Sequence, residues 1–213
     1  EIVTVLNYLK VCDNPLQDIP LMGVLRSPIV GCTSRELAEL RIQYPDGLLY
    51  ESVSAYAGEN EILEKEQNPD KLKSELLNGN LRTDEKNSLN IKLKGFLSLL
   101  EKVRNMAAYT PVHELILYVL KETGYGDYAR ALPGGEQRFA NLTMLVEKAM
   151  DYEKTSYRGL FNFVRYIEQL QAYQVDYGEV NLTGAGNTAV EIMTIHKSKG
   201  LEFPVVFVAG MGK

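Results

Sequence analysis

The 213-residue chain is 45% hydrophobic and 24% charged, a balance typical of a folded globular protein. Its net charge of −5 disfavours a free-standing protein that coats nucleic acid, because such domains usually carry a basic face. No apolar run approaches the roughly 20 residues that span a bilayer, and the start lacks a secretory signal pattern, so we expect a cytoplasmic protein with no membrane contact. Cys12 and Cys32 have no metal-ligand spacing, and we interpret them as small buried hydrophobic residues rather than a disulfide.

Apolar residues at helical spacing predict helices from the start of the chain. The first covers 1–10 and ends before Pro15, since the residue before a proline avoids the helical region. A short apolar helix follows within 16–28, where we interpret Arg26 as a surface or structural residue rather than a phosphate ligand. Thr33 and Glu36 have the spacing of a capping box and predict a third helix that stops before Pro45.

The middle of the chain predicts a helix over 48–56, closed by Gly58, and then a charged stretch over 59–90. We interpret the charged stretch as a solvated surface that keeps helical pieces such as 72–77. One long helix is predicted to reach about Ala108, because apolar residues recur along one side of it. These residues are Leu89, Leu93, Phe96 or Leu97, Leu100 and Val103.

Three more helices are predicted before the chain becomes polar and Gly-rich over 176–188. The first has Thr110 as its N-cap and Pro111 at its first position, carries an exposed His113 and stops at Gly124. The second follows the Gly134-Gly135 break. The third is capped by Ser156, and we assign its apolar and aromatic residues to the core: Leu160, Phe161, Val164, Ile167 and Leu170. The chain is therefore predicted to be mainly α, with a block of about five to seven helices inserted between two pieces of an α/β domain.

The last 24 residues contain the side chains that indicate a ligand-binding site. Val190–Ile195 and Val205–Val208 read as two buried strands, and ligands bind at the carboxyl ends of strands in α/β sheets. Between them lie residues suited to a phosphorylated ligand. Thr194 and Ser198 offer hydroxyls, Lys197 and Lys199 positive charge, His196 a titratable imidazole, Gly200 close backbone approach and Glu202 an acceptor for a sugar hydroxyl. On residue types alone, a surface turn with two lysines and a partly exposed glutamate is an equally good interpretation.

The order of these residues favours the first interpretation. It closely resembles motif V of the UvrD/Rep-like DNA helicases over the string Thr194-Ile195-His196-Lys197-Ser198-Lys199-Gly200-Leu201-Glu202-Phe203. The resemblance implies that Thr194 and His196, with the neighbouring lysines, face single-stranded DNA. It also implies that Gly200 and Glu202 lie at the nucleotide cleft, with Glu202 on the ribose.

Two further stretches, 14–31 and 156–170, resemble AddA-type helicase–nuclease proteins. The resemblance implies three parts: 1–31 in the second RecA-like motor domain, 32–185 as an inserted helical accessory domain, and 186–213 returning to the motor. It further implies ATP and Mg²⁺ as cofactors of the intact enzyme, single-stranded and duplex DNA as substrates, and a partner in the form of an AddB-like nuclease subunit. Such an enzyme unwinds and degrades linear duplex DNA in double-strand break repair and recombination.

Several parts expected of an ATPase are missing from this sequence. It has no Gly-x-x-x-x-Gly-Lys-Ser/Thr phosphate loop, no acidic pair after a buried strand and no nuclease carboxylate cluster. Because the chain also starts without Met and stops shortly after an apolar run, we interpret it as an excised segment that binds no cofactor and is inactive alone. Two alternatives stay open: a UvrD/Rep-type repair helicase without a nuclease, and a non-enzymatic helical adaptor that keeps a degenerate motor fragment.

Overall fold

The computed structural model describes residues 1–66, 81–155, 158–172, 192–196 and 198–209, with side chains for all of these but 59–66, 81–87 and 171–172. The chain divides into two compact units, Glu1–Val180 and Asn181–Lys213. The predicted cap Ser156, the helical piece over 72–77 and the polar segment over 176–188 lie outside the described residues.

The first unit is helical, as its periodicity predicts. Its described part contains nine helices: α1 Ile2–Asp13, α2 Asp18–Arg26, α3 Ser34–Gln43, α4 Leu49–Glu66, α5 Leu81–Ala107, α6 Val112–Glu122, α7 Tyr125–Ala131, α8 Gly135–Glu153 and α9 Leu160–Ala172. None of the described helices is long and apolar enough to cross a membrane. The mainly α fold class is confirmed, and the part of 32–185 that the structure describes contains seven of these helices, α3 to α9, within the predicted five to seven.

Helix α1 lies at the centre of this unit, packed against α2, α5, α8 and α9. Its residues Val5, Tyr8, Leu9 and Val11 are fully buried. The core continues along α5 through Leu89, Leu93, Phe96, Leu100 and Val103, so the predicted stripe is confirmed and Phe96 rather than Leu97 is its third member. Residues 2–26 therefore share one hydrophobic core with the later helices. The boundary between residues 31 and 32 stays a prediction.

Several local signals work as the sequence predicts. The N–H of Glu36 donates to Thr33 Oγ1 at 3.2 Å, and the N–H of Thr33 donates back to Glu36 Oε2 at 2.6 Å, which completes the capping box of α3. Arg26 binds the hydroxyl of Ser34, in line with a structural role. Cys12 and Cys32 are both free and buried. Burial raises the pKa of the Cys32 thiol to about 11, so it is neutral at physiological pH.

Three local predictions were wrong. Helix α4 does not end at Gly58 but continues to Glu66, since one glycine weakens a helix without stopping it. Helix α7 was missed, because seven residues are too few for a periodic signal. On α9, Phe161 is 52% exposed and Phe163 is fully buried, which reverses the predicted assignment of Phe161 to the core.

The second unit lacks, in its described part, the strands that its apolar runs predict. The described residues of these runs, 192–195 and 205–208, contain no strand. Their side chains are mostly exposed, up to 97% for Ile192 and 91% for Phe207. A β-strand is stabilised by a ladder of hydrogen bonds to a neighbouring strand, and the described residues of this unit offer no such neighbour. The apolar pattern alone therefore does not make a strand.

Candidate functional site

The predicted ligand loop folds as two successive turns. The N–H of Ser198 donates to the carbonyl of Thr194 at 3.1 Å, and the N–H of Leu201 donates to the carbonyl of Ser198 at 3.0 Å. The Ser198 hydroxyl donates to the carbonyl of Ile195 at 2.9 Å. Ser198 therefore holds the loop together with its backbone and side chain, a structural role that its residue type alone does not separate from ligand binding.

Gly200 fits the second turn because of its backbone conformation. Its φ is +86°, and it is the third of the four residues that the Ser198–Leu201 hydrogen bond closes. A positive φ at this position is the mark of a type II turn, which favours glycine. A Cβ built on Gly200 meets nothing within 4 Å, so the backbone here is open to a ligand.

The remaining predicted site residues lie on the surface of these turns. Thr194, His196, Lys199 and Glu202 are exposed, and Lys197 lies outside the described residues. Because Leu201 and Phe203 are apolar, we expected Glu202 to be partly buried, but it is exposed. The arrangement brings a hydroxyl, an imidazole, an ammonium group and a carboxylate together on one loop.

Part of a nucleotide fits these residues and part does not. An exposed carboxylate beside an open glycine backbone suits a sugar hydroxyl, with Glu202 as the acceptor. A triphosphate needs a cradle of backbone N–H groups and a metal ion. The described part of the chain groups no three His, Cys, Asp or Glu residues in a way that could hold a metal. Any ATP would therefore take its phosphate and Mg²⁺ ligands from residues other than these.

The helical unit has a cleft of its own, which the sequence did not predict. It encloses about 640 Å³ between the end of α1, the start of α4 and the second half of α5. Its charged residues are Asp13, Glu101 and Arg104. Burial raises the pKa of Asp13, and the nearby Arg104 partly opposes this rise. With two carboxylates and one guanidinium, the cleft lacks the positive charge that phosphate binding requires.

Comparison with known proteins identifies the family of this chain. The family model described as the UvrD-like helicase C-terminal domain matches residues 1–213. The chain belongs to this family. The string that resembles motif V therefore lies in a chain of this family and forms two hydrogen-bonded turns, and the ligand roles of its residues stay a prediction.

Similar full-length proteins carry a more specific name. The chain is 43% identical to the A subunit of the ATP-dependent helicase/nuclease of Lachnoclostridium phytofermentans and of Bacillus velezensis, and 44% identical to that of Bacillus cereus. Each alignment covers 100% of this chain but only 15 to 17% of the relative. The chain thus corresponds to about a sixth of these proteins.

Proposed function

We propose that the chain is a segment of an ATP-dependent DNA helicase/nuclease that unwinds and degrades linear duplex DNA in double-strand break repair and recombination. The observation that carries this proposal is the ordered motif string 194–203, folded as a turn with Gly200 at its left-handed position. Identity of 43 to 44% over the whole chain with proteins named helicase/nuclease supports it. Those names favour a helicase with a nuclease over the two alternatives.

Within such an enzyme, residues 1–31 and 186–213 belong to the second RecA-like motor domain, and 32–185 form the helical accessory domain inserted into it. The helical content of the first unit supports a helical accessory domain, and the division of the chain between Val180 and Asn181 supports a separate part at its end. The exposed apolar residues of 192–208 support it as well, because a RecA-like sheet would supply neighbouring strands for them.

The loop joins two binding tasks. Thr194, His196, Lys197 and Lys199 contact the backbone of single-stranded DNA, since hydroxyl, imidazole and ammonium groups all donate hydrogen bonds to phosphate oxygens. Gly200 and Glu202 contact the nucleotide, with the Glu202 carboxylate accepting a hydrogen bond from the ribose. His196 lies within the first hydrogen-bonded turn and Gly200 within the second, and the two turns share Ser198. A movement of one turn on binding its ligand therefore also moves the turn that contacts the other ligand.

ATP and Mg²⁺ are the cofactors of the intact enzyme, and they supply the phosphoryl group and the charge neutralisation that hydrolysis requires. This chain contributes the contact to the sugar. The DNA partners are single-stranded and duplex, the protein partner is an AddB-like nuclease subunit, and the complex acts in the cytoplasm. Support for the protein partner comes from the word "subunit" in the names of the relatives.

ATP-dependent degradation of linear duplex DNA tests the proposal. The full-length protein would be assayed with and without its co-purifying partner, with and without ATP. Fragments that appear only with ATP support a helicase/nuclease. Unwinding without cleavage would instead identify a repair helicase without a nuclease, and the absence of both activities would identify an adaptor.

A further inference from the structure

The outward surface of α9 combines positive charge with an exposed aromatic ring. Phe161, Asn162 and Arg165 lie within one turn of each other on α9, with Arg165 four residues after Phe161, so they share one side of the helix. Arg158 lies just before the helix, and all four residues are exposed. The Asn162 amide donates to the carbonyl of Arg158 at 2.9 Å, and the N–H of Phe163 donates to the carbonyl of Gly159 at 3.1 Å. These two bonds tie the backbone of Arg158 and Gly159 to the first turn of α9, although Gly159, with φ +91°, is not helical. We call these four residues the α9 face.

Packing does not account for Phe161. The inward side of the helix is already occupied by Leu160, Phe163 and Val164, all of them buried. Phe161 instead leaves 52% of its surface exposed. The Arg165 guanidinium lies 5.6 Å from the centre of its ring, within the range of a cation–π contact. This contact presents ring and charge side by side to the solvent.

The charge of the α9 face is opposite to that of the whole chain. The chain carries −5, whereas this surface carries two arginines. The next carboxylate along this surface belongs to Glu168. It forms an ion pair with Lys10 of α1 at 3.1 Å, so its negative charge is neutralised by another helix. Within the described residues, neither Arg158 nor Arg165 forms an ion pair. Arg165 follows Phe161 by four residues on α9, and Arg158 precedes it in the segment that leads into the helix, so an exposed arginine lies before and after the ring along the chain.

We propose that the α9 face is a second binding site for single-stranded DNA, with an unpaired base stacked on Phe161 and phosphates held by Arg158 and Arg165. The inference rests on the proposed helicase function and adds a contact outside motif V. Single-stranded nucleic acid is the occupant that fits, because its bases expose the π-faces that an aromatic ring stacks on and its backbone is anionic. A duplex hides those faces, and an apolar protein partner has no need of two guanidinium groups.

Binding of a fluorescent oligothymidylate to the full-length enzyme, measured by anisotropy over a salt series without ATP or Mg²⁺, tests the site. We expect Phe161→Ala to weaken binding roughly tenfold, as loss of one stacked base does, without a change in the salt dependence. Phe161→Trp should restore binding. Arg158→Gln and Arg165→Gln should each reduce the slope of log K against log salt by about 0.7, the loss of one single-strand phosphate contact.

The controls are an exposed aromatic and an exposed arginine from elsewhere in the helical unit. Tyr109→Ala removes a ring that is 76% exposed, and Arg35→Gln removes an arginine that pairs with Glu39 at 3.4 Å. Both should bind with the wild-type constant and slope. Wild-type binding by the Phe161→Ala and both arginine variants would overturn the proposal. Loss of the protein partner with unchanged DNA binding would also overturn it and identify a protein interface.

Failure of this site is distinguishable from failure of the proposed function. The binding assay needs no ATP, whereas the proposed function is tested by ATP-dependent degradation in the wild-type protein. If the Phe161→Ala variant does not fold, Phe161→Trp and the two arginine variants decide the question. Wild-type activity with unaltered oligothymidylate binding in those variants would reject the α9 face alone.

Discussion

Glu153, the last residue of α8, caps the start of α6 from forty positions further along the chain. Its carboxylate accepts the N–H groups of Val112 and His113, the second at 3.4 Å, and its Oε2 lies 2.5 Å from His113 Nδ1. The first N–H groups of a helix have no partner within it, so this carboxylate satisfies donors that would otherwise be unpaired. The predicted cap Thr110 does not perform this role, and His113 is part-buried against Glu153 rather than an isolated surface residue.

Removal of this cap should destabilise the helical unit. We expect Glu153→Ala to lower the free energy of unfolding by about 1–2 kcal/mol, the usual effect of losing a cap. Glu153→Gln should cost less, because the amide oxygen still accepts a backbone N–H although the charge that favours a helix N-terminus is gone. Urea unfolding followed by circular dichroism measures both.

Glu147→Ala is the matched control, since Glu147 is an exposed glutamate on the same helix. It should leave the free energy of unfolding within about 0.5 kcal/mol of wild type, as surface substitutions usually do. Equal effects of the two alanine variants would show that the Glu153 contacts contribute nothing beyond helix composition.

A second carboxylate should make stability depend on pH. Glu36 closes the capping box of α3 and pairs with Lys92 of α5 at 2.8 Å, with only 12% of its side chain exposed. Burial acts to raise its pKa, but hydrogen bonds from Lys92 and Thr33 outweigh burial and hold the pKa below its ordinary value. Because the folded pKa is lowered, the stabilisation is present above the unfolded pKa, about 4.3, and is lost as pH falls through the folded pKa.

We expect the urea concentration at the unfolding midpoint to decrease when the pH is lowered below about 5. The Glu36→Gln variant should be less stable than wild type at neutral pH and should lose part of this pH dependence. Asp151→Asn is the comparison. Lys154 also lowers the pKa of Asp151, through a hydrogen bond of 2.8 Å, but that pair is exposed and close in sequence, so its removal should change little. A Glu36→Gln variant with the wild-type pH profile would contradict the assignment.

The two phenylalanines at the start of α9 should differ sharply in their effect on stability. Phe163 is fully buried, with its ring edge-on to Tyr152 of α8 at 5.4 Å between centroids. Phe163→Ala should lower the free energy of unfolding by about 3–5 kcal/mol, because it leaves a cavity between two helices. Phe161→Ala should cost under about 1 kcal/mol, since half of that ring already contacts water. Thermal unfolding of the two variants side by side measures the difference.

This pair shows what the sequence could and could not predict. Helical periodicity correctly identified Leu160 and Val164 as inward-facing, but Phe161 and Phe163 flank that stripe on its two sides. The choice between them depends on where Tyr152 lies, and Tyr152 belongs to another helix. The same applies to the caps. The local pair Thr33 and Glu36 was predictable, whereas Glu153 at the start of α6 depends on tertiary packing.

The candidate loop was likewise predictable only in part from the sequence. Residue order identified Thr194, His196, Gly200 and Glu202 as a group and placed a glycine where the backbone turns. The flanking strands were predicted from apolar runs alone, which indicate that a strand would be buried but do not supply its neighbour. Pairing is a property of the whole sheet, and the described residues of these runs, 192–195 and 205–208, contain no strand.

Substitution of Gly200 should reveal how much the left-handed turn contributes. Since a Cβ at this position meets nothing, only the φ of +86° opposes a side chain. The cost for an ordinary residue is about 1–2 kcal/mol, and asparagine tolerates this region better than alanine or valine. We expect DNA-stimulated ATPase activity of the full-length enzyme to fall in the order wild type, Gly200→Asn, Gly200→Ala, Gly200→Val. Equal activities would mean that the turn is not required in the working enzyme.

The two ends of the loop should fail differently, because we assign them to different ligands. His196→Ala in the full-length enzyme should weaken the stimulation of ATP hydrolysis by DNA, since the imidazole contacts the DNA backbone, and leave hydrolysis without DNA near wild type. Glu202→Ala should mainly raise the apparent KM for ATP, roughly tenfold for the loss of one charged hydrogen bond of about 1.5 kcal/mol, with little effect on DNA binding. Steady-state ATPase assays with and without single-stranded DNA separate the two outcomes. The apparent KM of the Glu202→Gln variant should lie between those of wild type and the alanine variant, because its amide oxygen still accepts a hydrogen bond from a ribose hydroxyl. If both alanine variants behaved as wild type, or if both raised KM alike, the loop would not divide its contacts between DNA and nucleotide.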